Sequence, residues 1–179
     1  MQAPTSVVYL VFMVLVTLTT QATLAADVQL KQYSNGGIYE GEFLNGKQHG
    51  QGKYISADGY EYSGQWVDGI IEGIGTAKYS DGSIYTGSFI SSKPNGTGKL
   101  IFLDGGSYEG EWKEGDKHGK GTIFKPDGEM YEGVWKDGKP NGQGTKYYEN
   151  GKKYYEGEWK NNLCHGFGTI YYENGNKKY

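Results

Sequence analysis

The sequence predicts an all-β chain, a single-layer antiparallel meander of tandem β-hairpins. Three observations predict it. A pentad that alternates Tyr, Gly and Trp or Phe with other, mostly polar residues recurs six times, at steps of 23 or 24 residues. Two further glycine columns keep step with it. An Asp-Gly or Asn-Gly pair closes every unit. Agreement of several columns at a fixed period marks a repeat architecture, in which each unit is one supersecondary element.

The pentads are Tyr39–Phe43, Tyr62–Trp66, Tyr85–Phe89, Tyr108–Trp112, Tyr131–Trp135 and Tyr155–Trp159. Counting each Tyr as position 1, position 12 holds Gly50, Gly73, Gly96, Gly119, Gly142 and Gly166. Position 14 holds Gly52, Gly75, Gly98, Gly121, Gly144 and Gly168. Period-2 alternation over positions 1–5 reads as a strand. Positions 12–18, with β-branched and aromatic runs such as Thr122-Ile123-Phe124, read as a second strand after six loop residues. Asp-Gly or Asn-Gly at positions 20–21 suits a return turn, where positive φ is cheap. Helix is excluded because glycine recurs every few residues, at about 1 kcal/mol each against Ala. A lone hairpin is marginal in water, but hairpins in series pair edge to edge. Rings at positions 1 and 5 share one face, over strands made bare by glycine.

Composition agrees. Of 179 residues, 31 are Gly and 17 are Tyr, so aromatic rings supply much of the possible burial. Net charge is −3, and all 18 basic residues are Lys. The absence of Arg weakens any nucleic-acid reading, which favours its planar fork. The single cysteine, Cys164, excludes an intramolecular disulfide and is expected unpaired in a loop.

Residues 1–26 differ in kind, with no charged side chain and no Gly. The apolar run Val7–Leu18, followed by small residues Thr23 and Ala25, reads as a signal peptide. Its rival is an uncleaved membrane anchor. The expected location is therefore extracytoplasmic, secreted or periplasmic, with membrane anchoring as the alternative. Residues 27–38, with Tyr33-Ser-Asn-Gly36, are expected to be a partial repeat that caps the array. Repeats then occupy 39–61, 62–84, 85–107, 108–130, 131–154 and 155–178, and Tyr179 starts a seventh.

The pattern Tyr-Glu-Gly-Glu-Trp-x-Gly-x-His-Gly-x-Gly, clearest in Tyr108–Gly121, resembles the MORN (membrane occupation and recognition nexus) family. The resemblance implies a single sheet of stacked hairpins. It also implies scaffolding, peptide or protein binding, dimerisation and, in some members, membrane association. Ser63 and Thr86 at position 2, and Ser92 and Asn162 at position 8, depart from the pattern.

No constellation for chemistry stands apart from the repeat. His49, His118 and His165 all fall at position 11. Units about 10 Å apart cannot bring such histidines to one zinc ion. The pairs Glu40/Glu42, Glu109/Glu111 and Glu156/Glu158 also recur with the repeat, and are expected to pair with lysines across strands. The chain is thus expected to be no enzyme and to need no cofactor or metal. The sequon Asn95-Gly96-Thr97 is expected on an inter-strand loop.

The functional expectation falls on the aromatic stripe: Tyr39, Phe43, Tyr62, Trp66, Tyr85, Phe89, Tyr108, Trp112, Tyr131, Trp135, Tyr155 and Trp159. In a single-layer sheet these rings would offer an open groove to a protein or extended peptide. The alternative is an anionic membrane surface met by lysines, of which 14 of 18 lie in residues 91–179. Open sheet edges add weak self-association.

Overall fold

The computed structural model describes residues 28–178, and the expected leader and Tyr179 lie outside them. Thirteen strands follow one another: β1 (Val28–Gln32), β2 (Ile38–Leu44), β3 (Lys47–Ile55), β4 (Glu61–Val67), β5 (Ile70–Lys78), β6 (Ile84–Ile90) and β7 (Lys93–Ile101). They continue through β8 (Ser107–Lys113), β9 (Asp116–Phe124), β10 (Met130–Lys136), β11 (Lys139–Tyr147), β12 (Lys153–Lys160) and β13 (Leu163–Ile170). Each pairs antiparallel with the next, in one open sheet in strict chain order. At about 4.8 Å per strand the sheet runs on the order of 60 Å. The strand β1, in the segment expected to cap the array, pairs with β2 from Val28↔Glu42 to Gln32↔Ile38.

Two kinds of turn alternate. Within a repeat, the strands join through two residues that both have positive φ, such as Asn45 (52°) and Gly46 (76°), or Asp137 (50°) and Gly138 (76°). That is the tight hairpin geometry whose twist matches the sheet. Here the structure departs from the sequence reading. The second strand starts at position 9 rather than 12, and the six expected loop residues shrink to a two-residue turn. The apolar alternation is interrupted at positions 11–13 by a bulge, which made strand look like loop. At the bulge between β8 and β9 the register slips after Gly110↔Gly121, and Gly119 sits at φ 54°. A non-glycine residue there would be strained.

Between repeats, three-residue loops use the Asp-Gly and Asn-Gly pairs as expected. Gly105 N–H donates to the Phe102 carbonyl at 3.0 Å, and Phe102 N–H to that of Gly106 at 2.9 Å. The Asp104 carboxylate accepts from Gly106 N–H at 2.9 Å. The same side-chain acceptor recurs at Asn35, Asp58, Asp81, Asp127, Asn150 and Asn174. Every unit therefore locks its own return turn, which fixes register along the sheet.

Among the described residues the sheet has a core without a second layer. It consists of the repeat's own rings on one face, joined by Ile71 and Ala77. Lying on them are partly buried residues that differ between units, including Tyr54, Leu100, Ile123, Tyr154 and Ile170.

Candidate functional site: the aromatic face

The position-1 tyrosines lie flat because the backbone beneath them carries no side chain. A Cβ on Gly121 would fall 2.5 Å from Cζ and 2.6 Å from Cε2 of Tyr108. Its cross-strand partner Gly110 is equally constrained, since a Cβ there would meet the Gly121 Cα at 2.5 Å. Each ring is also tethered at its far end. Tyr108 Oη donates to the Glu111 carbonyl at 3.0 Å, and the same bond recurs at Tyr39, Tyr62, Tyr85, Tyr131 and Tyr155 at 3.0–3.2 Å.

The position-5 rings stitch neighbouring repeats together. Trp135 Nε1 donates to the Gly121 carbonyl of the preceding repeat at 2.9 Å. Trp66, Trp112 and Trp159 make the same bond at 3.0–3.2 Å. Each Trp or Phe meets the tyrosine of its own unit edge to face and, from Trp66 onward, that of the unit before. Tyr108, for example, contacts Trp112 at 5.2 Å and Trp135 at 5.0 Å between centroids. The ladder runs unbroken from Phe43 to Trp159. Such pairs contribute about 0.5–1.5 kcal/mol beyond burial.

All twelve expected rings therefore share one face. Their exposure differs from the open stripe read from sequence. The six tyrosines are 0–5 % exposed and the four tryptophans 3–7 %; only Phe43 is half-exposed. Enclosure pushes the hydroxyls of Tyr39, Tyr62 and Tyr131 up to about 12, and also raises those of Tyr85 and Tyr108. What encloses them is a pair of columns that sequence reading passed over. Position 10 lies across the hairpin from the Trp or Phe ring: Gln48, Ile71, Pro94, Lys117, Pro140 and Cys164. Position 16 lies across from the Tyr: Tyr54, Ala77, Leu100, Ile123, Lys146 and Ile170. A ligand approaching this face meets those variable side chains and the ring edges between them.

At the fourth to sixth repeats the face sinks into a cleft of about 520 Å³, with Tyr131, Trp135 and Trp159 in its lining. Lys117 stands half-buried in its wall, with its ammonium 5.3 Å from the Trp135 centroid and 5.5 Å from that of Tyr108. Burial lowers its pKa.

The remaining candidates take structural roles. At position 4, on the opposite face, Glu111 Oε1 accepts from the Lys120 N–H in the bulge at 2.8 Å. Glu42 does the same for Gln51 at 3.0 Å and Gln65 for Ile74 at 2.7 Å. This role differs from the expected lysine pairing and satisfies a backbone donor that the bulge frees. At position 2 the expectation holds for Glu109, which pairs across strands with Lys99 at 3.2 Å, whereas Glu156 pairs with Lys153 of its own strand at 2.8 Å. His49, His118 and His165 stand in strands beside the bulge, not in loops. Among the described residues no group of three His, Cys, Asp or Glu is placed to hold a metal. Cys164 is exposed and free, but in strand β13 rather than a loop. Asn95 likewise lies within β7, half-buried, so the sequon is not on a loop. No helix among the described residues is long and apolar enough to cross a membrane.

A single-layer sheet of identical hairpins, its apolar face filled by its own rings and coated by variable residues, defines a repeat scaffold. The chain belongs to the MORN repeat family, whose repeat matches residues 39–59, 62–84, 85–107, 108–130, 131–153 and 155–177. Comparison with curated proteins gives no match. Among solved structures, the chain is similar to the TCP domain of SAS-4 (dCPAP) of Drosophila melanogaster, solved in complex with a proline-rich motif of Ana2 (dSTIL). Identity is 16 %, the TM-score is 0.53, and the match covers 84 % of this chain and 81 % of that one. At this identity the likeness is one of fold.

Proposed function

We propose that the chain is a non-catalytic scaffold that holds an extended protein segment along the aromatic face of its sheet. The observation that carries this reading is the cleft over the fourth to sixth repeats, with aromatic residues in its lining and no second layer of the described residues above it. Extended segments suit such a surface, because a preformed polyproline-type peptide loses little entropy on docking against aromatic rings. The SAS-4 domain, of similar fold, binds a proline-rich motif. Positions 10 and 16 would set specificity, since they change from unit to unit over a constant ring ladder. The carboxylates support the non-catalytic reading: Glu111 accepts a backbone N–H group, and Glu109 and Glu156 pair with lysines.

The test is to pan a phage-displayed peptide library on the purified protein and measure enriched peptides by fluorescence anisotropy. The double variant Ile123→Ser, Tyr154→Ser alters the coat without removing a ladder ring. Loss of binding in a protein that still unfolds in one cooperative transition is expected, with the midpoint lowered by the lost burial of the two side chains. Equal binding to the variant would place the ligand elsewhere and overturn the reading. We further propose that residues 1–26 direct export of the repeats; N-terminal sequencing of protein from the extracytoplasmic fraction should begin at Ala26 or Asp27, and an intact Met1 there would refute cleavage.

A further inference from the structure

The aromatic face is chemically uneven along its length. The cleft over the fourth to sixth repeats carries Lys117, Lys125, Lys139 and Lys146 in its lining and no acidic side chain, in a chain of net charge −3. Glu129 reaches two of these from outside, at 2.5 Å to Lys125 and 3.0 Å to Lys146. Lys117 and Lys139 form no ion pair among the described residues. Lys117 instead holds its charge over the rings of Phe102, Tyr108 and Trp135 at 5.2–5.5 Å. Rings attract an ammonium but leave its charge uncompensated, and half-burial makes a carboxylate partner more valuable there than at the open surface.

From this juxtaposition we infer that the cleft binds an acidic, apolar peptide segment, with carboxylates on Lys117 and Lys139 and an apolar side chain against the apolar lining of the cleft. The inference rests on the scaffold reading above and names the chemistry of its partner. Geometry favours a peptide over a lipid headgroup. The Lys117 charge lies over the rings in the wall of a concave site, where a protruding side chain can reach it and a flat bilayer cannot. Apolar lining between the lysines also asks for a partner that alternates charge with hydrocarbon.

The experiment uses three fluorescein-labelled synthetic peptides alternating Pro and Leu with Glu, Gln or Lys, titrated into the intact protein at low salt. The Glu peptide is expected to bind at least about ten-fold tighter than the Gln peptide, and the Lys peptide most weakly. The double variant Lys117→Met, Lys139→Met keeps an apolar stem at both positions and should bring the Glu peptide to the affinity of the Gln peptide. Equal binding of Glu and Gln peptides would overturn the acidic preference and leave the scaffold reading standing. Glu-peptide binding untouched by the double variant would overturn the assignment to this cleft. If none of the peptides binds while phosphatidylserine vesicles capture the wild type and not the variant, the lysines serve a membrane and the inference fails. If neither peptides nor vesicles bind, the acidic-segment inference fails, and the outcome of the library test decides the scaffold reading separately.

Discussion

Placing a methyl group on Gly121 should be among the most damaging single changes in the sheet, and the damage should vanish when Tyr108 is removed. The added Cβ of Gly121→Ala would sit 2.5 Å from Tyr108 Cζ, where ordinary carbon contacts begin near 3.5 Å, so the ring must retreat by about 1 Å. It has nowhere to go. Its hydroxyl is bonded to the Glu111 carbonyl, and its faces are held by Trp112 and Trp135. Overpacking of this kind costs about 1–3 kcal/mol. Losing the hydroxyl bond adds about 1 kcal/mol and weakening the edge contacts about 1 more, for a total of about 3–5 kcal/mol. In a Tyr108→Ala background the space is empty. There Gly121→Ala should be neutral or stabilising by up to about 1 kcal/mol, because alanine restricts the unfolded chain. The four proteins of this cycle, unfolded in urea and followed by circular dichroism, should give a coupling energy of about 3 kcal/mol or more. Equal cost of Gly121→Ala in both backgrounds would refute the claim that the ring occupies the glycine's missing side-chain volume.

Alkaline titration should show the six ladder tyrosines ionising as a group. Their folded pKa values lie above the ordinary 10.0, up to about 12 for Tyr39, Tyr62 and Tyr131, so stability is fully present below pH 10 and is lost as pH rises toward 12. Each buried hydroxyl adds a slope of about 1.4 kcal/mol per pH unit in that window; the last part of the tyrosinate absorbance should rise together with the loss of sheet signal, and complete ionisation with the sheet signal intact would contradict it. Glu111→Ala should cost about 1 kcal/mol by freeing the Lys120 N–H, whereas Glu111→Gln should cost far less, as Gln65 already fills this role in the second repeat. Edge strands predict concentration-dependent association in sedimentation. The edge strands β1 and β13 expose Val28, Leu30, Leu163 and Phe167, and Phe167→Lys should reduce the association.

The constant columns were legible in the sequence because each answers one local demand. Gly at position 14 makes room for a ring, Gly at position 12 allows a positive φ, and Asp or Asn with Gly closes a turn. Two things were harder to read. The bulge interrupts strand alternation, so Lys47, Gln48 and their equivalents resembled loop although they pair with β2 and its counterparts. The covering of the rings was hidden for the opposite reason. Gln48, Ile71, Pro94, Lys117, Pro140 and Cys164 share no chemistry, so a search for fixed columns steps over them. Their common feature is placement across from a Trp or Phe ring, which only the strand register reveals.

That division of labour also explains how one repeat can serve different partners. The ladder needs every Tyr, Trp and paired glycine, and a change there propagates to the neighbouring unit through the Trp Nε1 bond and the shared edge contact. Positions 10 and 16 touch the next repeat's rings only in particular units, as Lys117 does Trp135 and Tyr54 does Trp66, and so stand outside the constant ladder. They can change from isoleucine to proline to lysine while the ladder beneath stays fixed, as Ile71, Pro94 and Lys117 do in three consecutive units. Stability sums over nearest neighbours in an array of this kind, so a local change in the coat alters the surface chemistry of one unit at little cost to the whole. Binding specificity should therefore map onto the variable columns, and substitutions that abolish binding by cutting the ladder should always lower the unfolding transition as well.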